Sequence, residues 1–345
     1  MEIRSFTARN GSVLPFSVIG FGTAPLGDLF ELLDEKNCIS TIQEAYAGGV
    51  TIYDTSPHYG NGLAEVRLGT GLRRAARDKI LISTKIGRVM ETMPNPDAPR
   101  DKTISPGFTG YFPHQPRFDY SYDGTMRSIE HSLLRMGLDR LDIVLIHDCD
   151  VWTHGEQNAP IRFKEAMEGA YRALDKLRNE KVVSAIGVGI NESSTATKLI
   201  KAGDFDVTML AGRYSLLVQN ALDEFLPLAL EKKMGIMLAG VFNSGILATG
   251  AIPGARFDYA PASPEIMERV RKIEAVCKAH GVSIRRAALQ FSLAHPAIVS
   301  VVLGGVNPQE VRANITEVTQ PVPVGLWSDL KAQGLLNPAA PTPGA

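Results

Sequence analysis

Short, almost wholly apolar runs recur along the chain at 18–22, 50–53, 79–84, 141–146, 184–188, 207–210, 236–239 and 298–303. Between them, apolar residues return every third or fourth position. Ile39, Ile42 and Tyr46 form one such stripe, and Met126, Ile129 and Leu133 another, with Arg127, Glu130 and Arg135 on the opposite face. The first pattern is that of strands buried on both faces, and the second is that of helices with one buried side. Gly48–Gly49 and Gly137 stand where such helices end. The stripe returns across 164–180 through Ala166, Ala170, Ala173, Leu174 and Leu177, and two further helices are expected at 265–280 and 284–295.

Strand–helix units spread over almost the whole chain predict an α/β protein, specifically a (β/α)8 TIM barrel, because a doubly wound sheet rarely needs eight units. The dinucleotide fingerprint of a doubly wound sheet is also missing. "GFGTAPLG" has its third glycine misplaced, and "GVGINES" carries Glu192 where that glycine belongs. Ahead of the first barrel strand, Asn10–Gly11 lies between short extended runs, which predicts an N-terminal β-hairpin able to plug the barrel floor.

A single barrel domain is expected over 1–336, with a disordered tail at 337–345, "NPAAPTPGA". The connection 86–121 is too long for an ordinary βα loop and carries Phe108, Tyr111, Phe112, His114, Phe118 and Tyr120. It is expected to cover a substrate or to pack on the barrel rim.

Composition narrows the function classes. At 345 residues, 44% hydrophobic, 21% charged and a formal net charge of −1, the chain offers no basic surface for nucleic acid or acidic lipid. No run approaches the roughly 20 apolar residues of a membrane span, and "MEIRSFTARNGS" has no secretory apolar core. A cytoplasmic location, a small-molecule substrate and no membrane or nucleic-acid partner are therefore expected. Cys38, Cys149 and Cys277 form no C-x-x-C pair, and His58, His147 and His154 match no zinc spacing, so no metal is expected. No interface stripe indicates an oligomeric state.

In a barrel of this type, chemistry sits at the C-terminal ends of the strands. Asp54 closes the second strand, Lys85 the third in "ILISTK", and His147 the fourth in "DIVLIH"; Tyr59 follows Asp54 in the next loop. Each has an ordinary explanation alone, as a turn residue, a strand-end charge or a satisfied histidine. Their coincidence on adjacent strand ends points to a catalytic group.

The blocks "YDTSPHYG", "ISTK", "MRSIEHSLLRMGLDRLDIVLIH", "KVVSAIGVGINE" and "PQEVRANI", over roughly 14–318, resemble the aldo-keto reductase family. That resemblance implies a catalytic tetrad of Asp54, Tyr59, Lys85 and His147. A phenol with an ordinary pKa near 10 becomes a usable proton carrier when a nearby ammonium lowers it. By resemblance, Lys85 supplies that charge, Asp54 orients Lys85, and His147 donates to the substrate oxygen. Tyr59 moves the proton.

The same resemblance implies a nicotinamide cofactor, with Gly22, Thr23, Asp54 and Asn191 near its ribose and carboxamide end. The segment "FNSGIL", with Phe242, Asn243, Ser244, Gly245 and Leu247, and the last loop, with Gly304, Gly305, Glu310 and Asn314, would hold pyrophosphate and adenosine. Three departures from the family pattern matter. Ala211 replaces a common glutamine and Ala239 a common stacking aromatic, so Tyr214 or Phe242 is expected to orient the ring. Gly304 and Glu310 stand where NADP-preferring members often carry cations, which favours NAD and leaves NADP open through Arg312.

"FDYSYDGTMRSIEHSLLRMGLDRLDIVLIHD", "AGRYSLL" and "GVFNSGIL" look like the branch holding aldose 1-dehydrogenases and pyridoxal 4-dehydrogenases. Oxidation of a cyclic aldose such as L-fucose or D-arabinose to its lactone is expected. Competing readings are oxidation of pyridoxal to pyridoxolactone, NADPH-dependent aldehyde or ketone reduction, and a non-catalytic redox sensor.

Overall fold

The computed structural model describes residues 1–93, 95 and 107–344. Its strands, in chain order, are β1 (Ile3–Thr7), β2 (Val13–Ser17), β3 (Ile19–Gly22), β4 (Ile52–Asp54), β5 (Leu81–Thr92), β6 (His114–Asp119), β7 (Ile143–His147), β8 (Ala185–Ile190), β9 (Val207–Ala211), β10 (Gly235–Ala239), β11 (Arg256–Phe257), β12 (Ala260–Pro261) and β13 (Ile298–Gly304). Eight of them, β3, β4, β5, β7, β8, β9, β10 and β13, pair in parallel around a ring that the β4–β5 pairing closes. Helices intervene between successive barrel strands, giving the (β/α)8 architecture expected from the alternating pattern.

Two apolar layers follow from the period-two alternation of strand side chains. Ile52, Leu81, Ile143 and Leu145 point into the barrel. Tyr53, Ile82, Val144 and Ile146 point outward into the layer shared with the helices. The same alternation carries Asp54, two residues after Ile52, Lys85, four after Leu81, and His147, two after Leu145, onto the inward face at one end.

At the other end, β1 and β2 form the expected hairpin, with Gly11 at φ 85° in its turn. Leu14 and Phe16 of β2 join the interior cluster, so the hairpin closes the floor with apolar side chains. Asn10 fastens it by donating to Arg178 O at 3.0 Å.

Three expectations change. The stretch after Lys85 is not all loop: β5 runs on out of the barrel to Thr92 and pairs antiparallel with β6, placing Phe118 on a hairpin wall with Tyr120 just past its end. Residues 94 and 96–106 of that connection lie outside the described residues. Next, the segment expected to be one helix at 164–180 is preceded by a helical stretch from Val151, and its start is a wide-turned segment at Ala166–Ala170. Gly169 is needed there because a Cβ would lie 2.4 Å from Tyr120 O.

Finally, the tail expected to be disordered is laid against the body of the protein. Asn337 N donates to Gln219 Oε1 at 2.9 Å, and Ala340 is buried. Its prolines and small residues lack a core of their own but fit an existing one. Among the described residues, no helix is long and apolar enough to cross a membrane.

Candidate active site

Strand register brings the acidic and basic groups to one mouth. Gly22 pairs with Asp54, Asp54 with Ser83, Lys85 with Leu145, and His147 with Gly189. Asp54, Lys85 and His147 are all buried. Lys85 Nζ donates to Asp54 Oδ2, to Thr55 O at 2.9 Å and to Tyr59 Oη at 3.1 Å. Ser83 Oγ fixes the other oxygen of Asp54 at 2.8 Å. The Tyr59 and His147 rings stand edge to face with centroids 6.2 Å apart.

Electrostatics refine one expectation. Burial would strip the charge from Lys85, but the Asp54 carboxylate, helped by Tyr59, outweighs it and holds the ammonium above its ordinary value. Burial also pushes the Tyr59 phenol up to about 12, against the pull of Lys85, where a value below the ordinary one was expected. The cation therefore offsets part of a desolvation penalty, and the resting phenol keeps its proton. His147 is held well below the usual imidazole value by burial, then by Arg88, Lys85 and His58, and so is neutral.

These groups line a cavity of about 580 Å³. Part of the lining is a slot of small residues: Gly22, Gly189, Ala211, Ala239, Gly240 and Gly304. Even a methyl at Gly189 would come within 3.3 Å of Lys85 Cε. Phe30, Phe108, Phe118, Trp152 and Tyr259 provide the aromatic side.

Of the residues expected at a cofactor, Gly22, Asp54, Asn191 and Gly304 line the cavity. Thr23 is buried and its Oγ1 is committed to Asp54 O at 3.1 Å. Tyr214 does not face the slot: it is fully buried and packs on Phe291 and His295, with ring centroids at 5.1 and 5.6 Å. Leu247 is likewise core. Phe242 lies under Arg285, 5.7 Å from ring centroid to guanidinium carbon, and Arg285 Nη1 donates to Asn314 Oδ1 at 3.0 Å.

The turn from Asn243 to Gly245 is held by backbone geometry. Its φ values are 45°, 60° and 101°, and Ser215 Oγ donates to Asn243 Oδ1 at 2.5 Å. Ser244 Oγ accepts from Tyr259 N at 2.9 Å, which places Tyr259, rather than Tyr214 or Phe242, against the slot. In the last loop, Gly305 precedes a capping box: Asn307 Oδ1 accepts from Glu310 N at 2.9 Å, and Glu310 Oε2 accepts from Val306 N at 3.1 Å. Arg312 is paired with Glu44 at 2.6 Å.

Sequence reading missed the second charged pair in the cavity. Arg88 Nη1 lies 2.9 Å from Asp148 Oδ2, both buried. A period-two count from Lys85 places Arg88 outside, but Gly87 has φ 112° and breaks the alternation. Asp148 is turned back by its own left-handed φ of 52°. The fragment "KIGR" held a usable signal, a glycine immediately before a basic residue in a strand.

The family model for the aldo/keto reductase family matches residues 18–323. The chain is 35% identical over 94% of its length to pyridoxal 4-dehydrogenase from Microbacterium luteolum, covering 96% of that protein. It is 36% identical over 96% of its length to D-threo-aldose 1-dehydrogenase from a Pseudomonas species, again covering 96%. The holo form of aldo-keto reductase AKR11C1 from Bacillus halodurans superposes with a TM-score of 0.72 at 21% identity, with 98% of each chain covered.

Proposed function

Because this chain belongs to the aldo/keto reductase family, we propose that it oxidises the ring carbon of a cyclic hemiacetal, in an aldose such as L-fucose or D-arabinose, to a lactone. The observation that supports this reading most directly is Tyr59 Oη held 3.1 Å from the Lys85 ammonium in a cavity large enough for a monosaccharide. The polar side of that cavity, with His147, Arg88, Asp148 and Asn191, suits a polyhydroxylated ring, and exposed Trp152 offers an aromatic face to its C–H side. Both relatives are named as dehydrogenases, of pyridoxal and of D-threo-aldoses, compounds able to close into hemiacetals.

Bound nicotinamide supplies the hydride acceptor. Gly22, Asn191 and Gly304 would hold it in the small-residue slot, with Tyr259 as the aromatic neighbour. The chain's own part is the proton. His147 donates to the substrate oxygen and fixes it beside Tyr59. Tyr59 accepts the hydroxyl proton as phenolate during oxidation and returns it as phenol during reduction. Lys85 stabilises the phenolate, and Asp54 holds Lys85 charged and aimed.

NAD is the proposed partner. The Glu310 carboxylate occupies the start of the helix Pro308–Thr319, where a 2′-phosphate would need positive charge, and Arg312 is neutralised by Glu44. A second reading, pyridoxal oxidised to pyridoxolactone, draws on the aromatic wall of Phe108 and Phe118, which could stack on a pyridine ring. Turnover of L-fucose, D-arabinose, L-galactose and pyridoxal with NAD and with NADP, with product identified as lactone, tests both. Absence of lactone from every sugar would overturn the first.

A further inference from the structure

His147 has polar neighbours on both ring nitrogens, and those on Nδ1 are informative. Arg88 Nη1 lies 3.3 Å from it and Ser56 Oγ 3.2 Å from it. A guanidinium carries only donors and keeps its charge at every accessible pH. Ser56 Oγ already accepts from His58 N at 3.1 Å, so its own hydrogen is available for Nδ1. Two donors aimed at one nitrogen require that nitrogen to be bare. The ring proton then sits on Nε2, whose neighbour is an acceptor, Asp148 Oδ2 at 3.4 Å.

We propose that Arg88 is a positioning residue that, together with Ser56, locks His147 in the tautomer carrying its proton on Nε2 and so makes it a hydrogen-bond donor to the substrate oxygen. The proposal rests on the reading of His147 given above, but the tautomer exists before substrate arrives and is measurable without turnover. Arg88 is itself fixed: its guanidinium carbon lies 4.7 Å from the Phe118 ring centroid, and its Nη1 is paired with Asp148. Asp148 balances the arginine's charge and holds a place for the Nε2 proton that a substrate hydroxyl can take over.

The charged and titratable groups facing His147 are Arg88 and Lys85 from β5, His58 and Tyr59 from the loop after β4, and Asp148 beside it. Two of these are cations, so a proton added to His147 would meet both; removing Arg88 leaves Asp148 facing the ring and reverses that balance.

Long-range ¹H–¹⁵N spectra of the full chain labelled at histidine read the tautomer directly. In the wild type, His147 is expected to show a bare Nδ1 and a protonated Nε2 from neutral pH to well below the ordinary imidazole value of about 6.5. A proton on Nδ1, or titration at the ordinary value, overturns the proposal. Arg88→Met is expected to raise the His147 pKa, to add an acid limb to the pH profile of kcat, and to lower kcat about 10²-fold while cofactor affinity stays unchanged. Arg88→Lys should restore the neutral ring.

Because Arg88→Met strands a buried carboxylate, the double variant Arg88→Met/Asp148→Asn provides a second route with no lone charge. In it the ring proton should distribute over both nitrogens. Retention of the wild-type tautomer and pH profile in that variant would reduce Arg88 to packing and refute the lock. Loss of turnover with the tautomer intact would instead count against the reaction assigned above.

Discussion

Lys85 Nζ and Tyr59 Oη meet at 3.1 Å, and the same ammonium is shared with Asp54 and Thr55 O. This contact makes turnover depend on pH in one direction of the reaction and not in the other. Tyr59 keeps its proton up to about 12 in the resting pocket, so oxidation, which needs the phenolate, should accelerate as pH rises. Reduction, which needs the phenol, should not. Lys85→Met removes the influence that opposes burial, so the phenol should titrate still higher and kcat fall by about 10²- to 10⁴-fold with cofactor binding retained. Steady-state rates and cofactor fluorescence titrations check this; an unchanged pH profile in the variant would rule it out.

Tyr59→Phe isolates the proton step. The ring and its packing on Phe108, at 6.1 Å between centroids, remain, and the hydroxyl is lost. Cofactor affinity should be as in the wild type and turnover nearly abolished. Rates close to wild type would exclude Tyr59 as the proton carrier.

Glu310 caps a helix and, under the proposal above, sets the charge where adenosine would lie. Glu310→Gln preserves the capping geometry and removes the charge, whereas Glu310→Arg reverses the charge and also breaks the box, at a cost of about 1 kcal/mol. The ratio of NADP to NAD activity should rise modestly in the first variant and further in the second. If both variants leave that ratio where it was, cofactor choice is made elsewhere, with Arg285 the next residue to test.

His295 is buried, and its Nδ1 accepts from Ala297 N at 3.2 Å. Burial pushes its imidazole down to about 4. The unfolded histidine binds its proton at about 6.5, so unfolding takes up a proton as pH falls between those values. This group alone therefore removes up to about 3 kcal/mol of stability by pH 4. His295→Asn keeps an acceptor for the same N–H and does not titrate. Urea unfolding across that range should give a flatter stability curve for the variant; parallel curves would contradict the assignment.

The barrel wall has its own test. Gly69 lies in the helix Leu63–Gly71, and a Cβ there would come 2.0 Å from Met136 O, at the end of the helix Tyr122–Met136. Backbone cannot yield as a flexible side chain would. Gly69→Ala should cost about 3 kcal/mol or more, visible as a lower urea midpoint. A midpoint unchanged from wild type would mean that the two helices can separate cheaply.

Position at the ends of apolar runs made much of this readable. Asp54, Lys85 and His147 each close an apolar run, so their approach followed from the rule that barrel strand ends share one mouth, and the alternation in Ile52-Tyr53-Asp54 and Leu145-Ile146-His147 explains why they face inward. What stayed hidden lies where the backbone leaves the strand's alternation. Gly87 re-phases Arg88, a left-handed Asp148 returns to the cavity, and Tyr259 reaches the slot from β11–β12, far along the sequence from β9. Tyr214 misled for the complementary reason: it follows β9 closely in sequence, but Phe291 and His295 draw its ring into the core.

The extension of β5 beyond the barrel has a lasting effect on how this protein can change. Lys85 and Arg88 sit on one uninterrupted ribbon with the outer hairpin, so an alteration that tilts the hairpin to admit a different guest also pulls on the ammonium. Trp152 and Tyr259 follow β7 and β10 in the chain, so remodelling there leaves β5 itself untouched. New selectivity should therefore arise more readily at those two positions than on the ribbon that also carries Lys85.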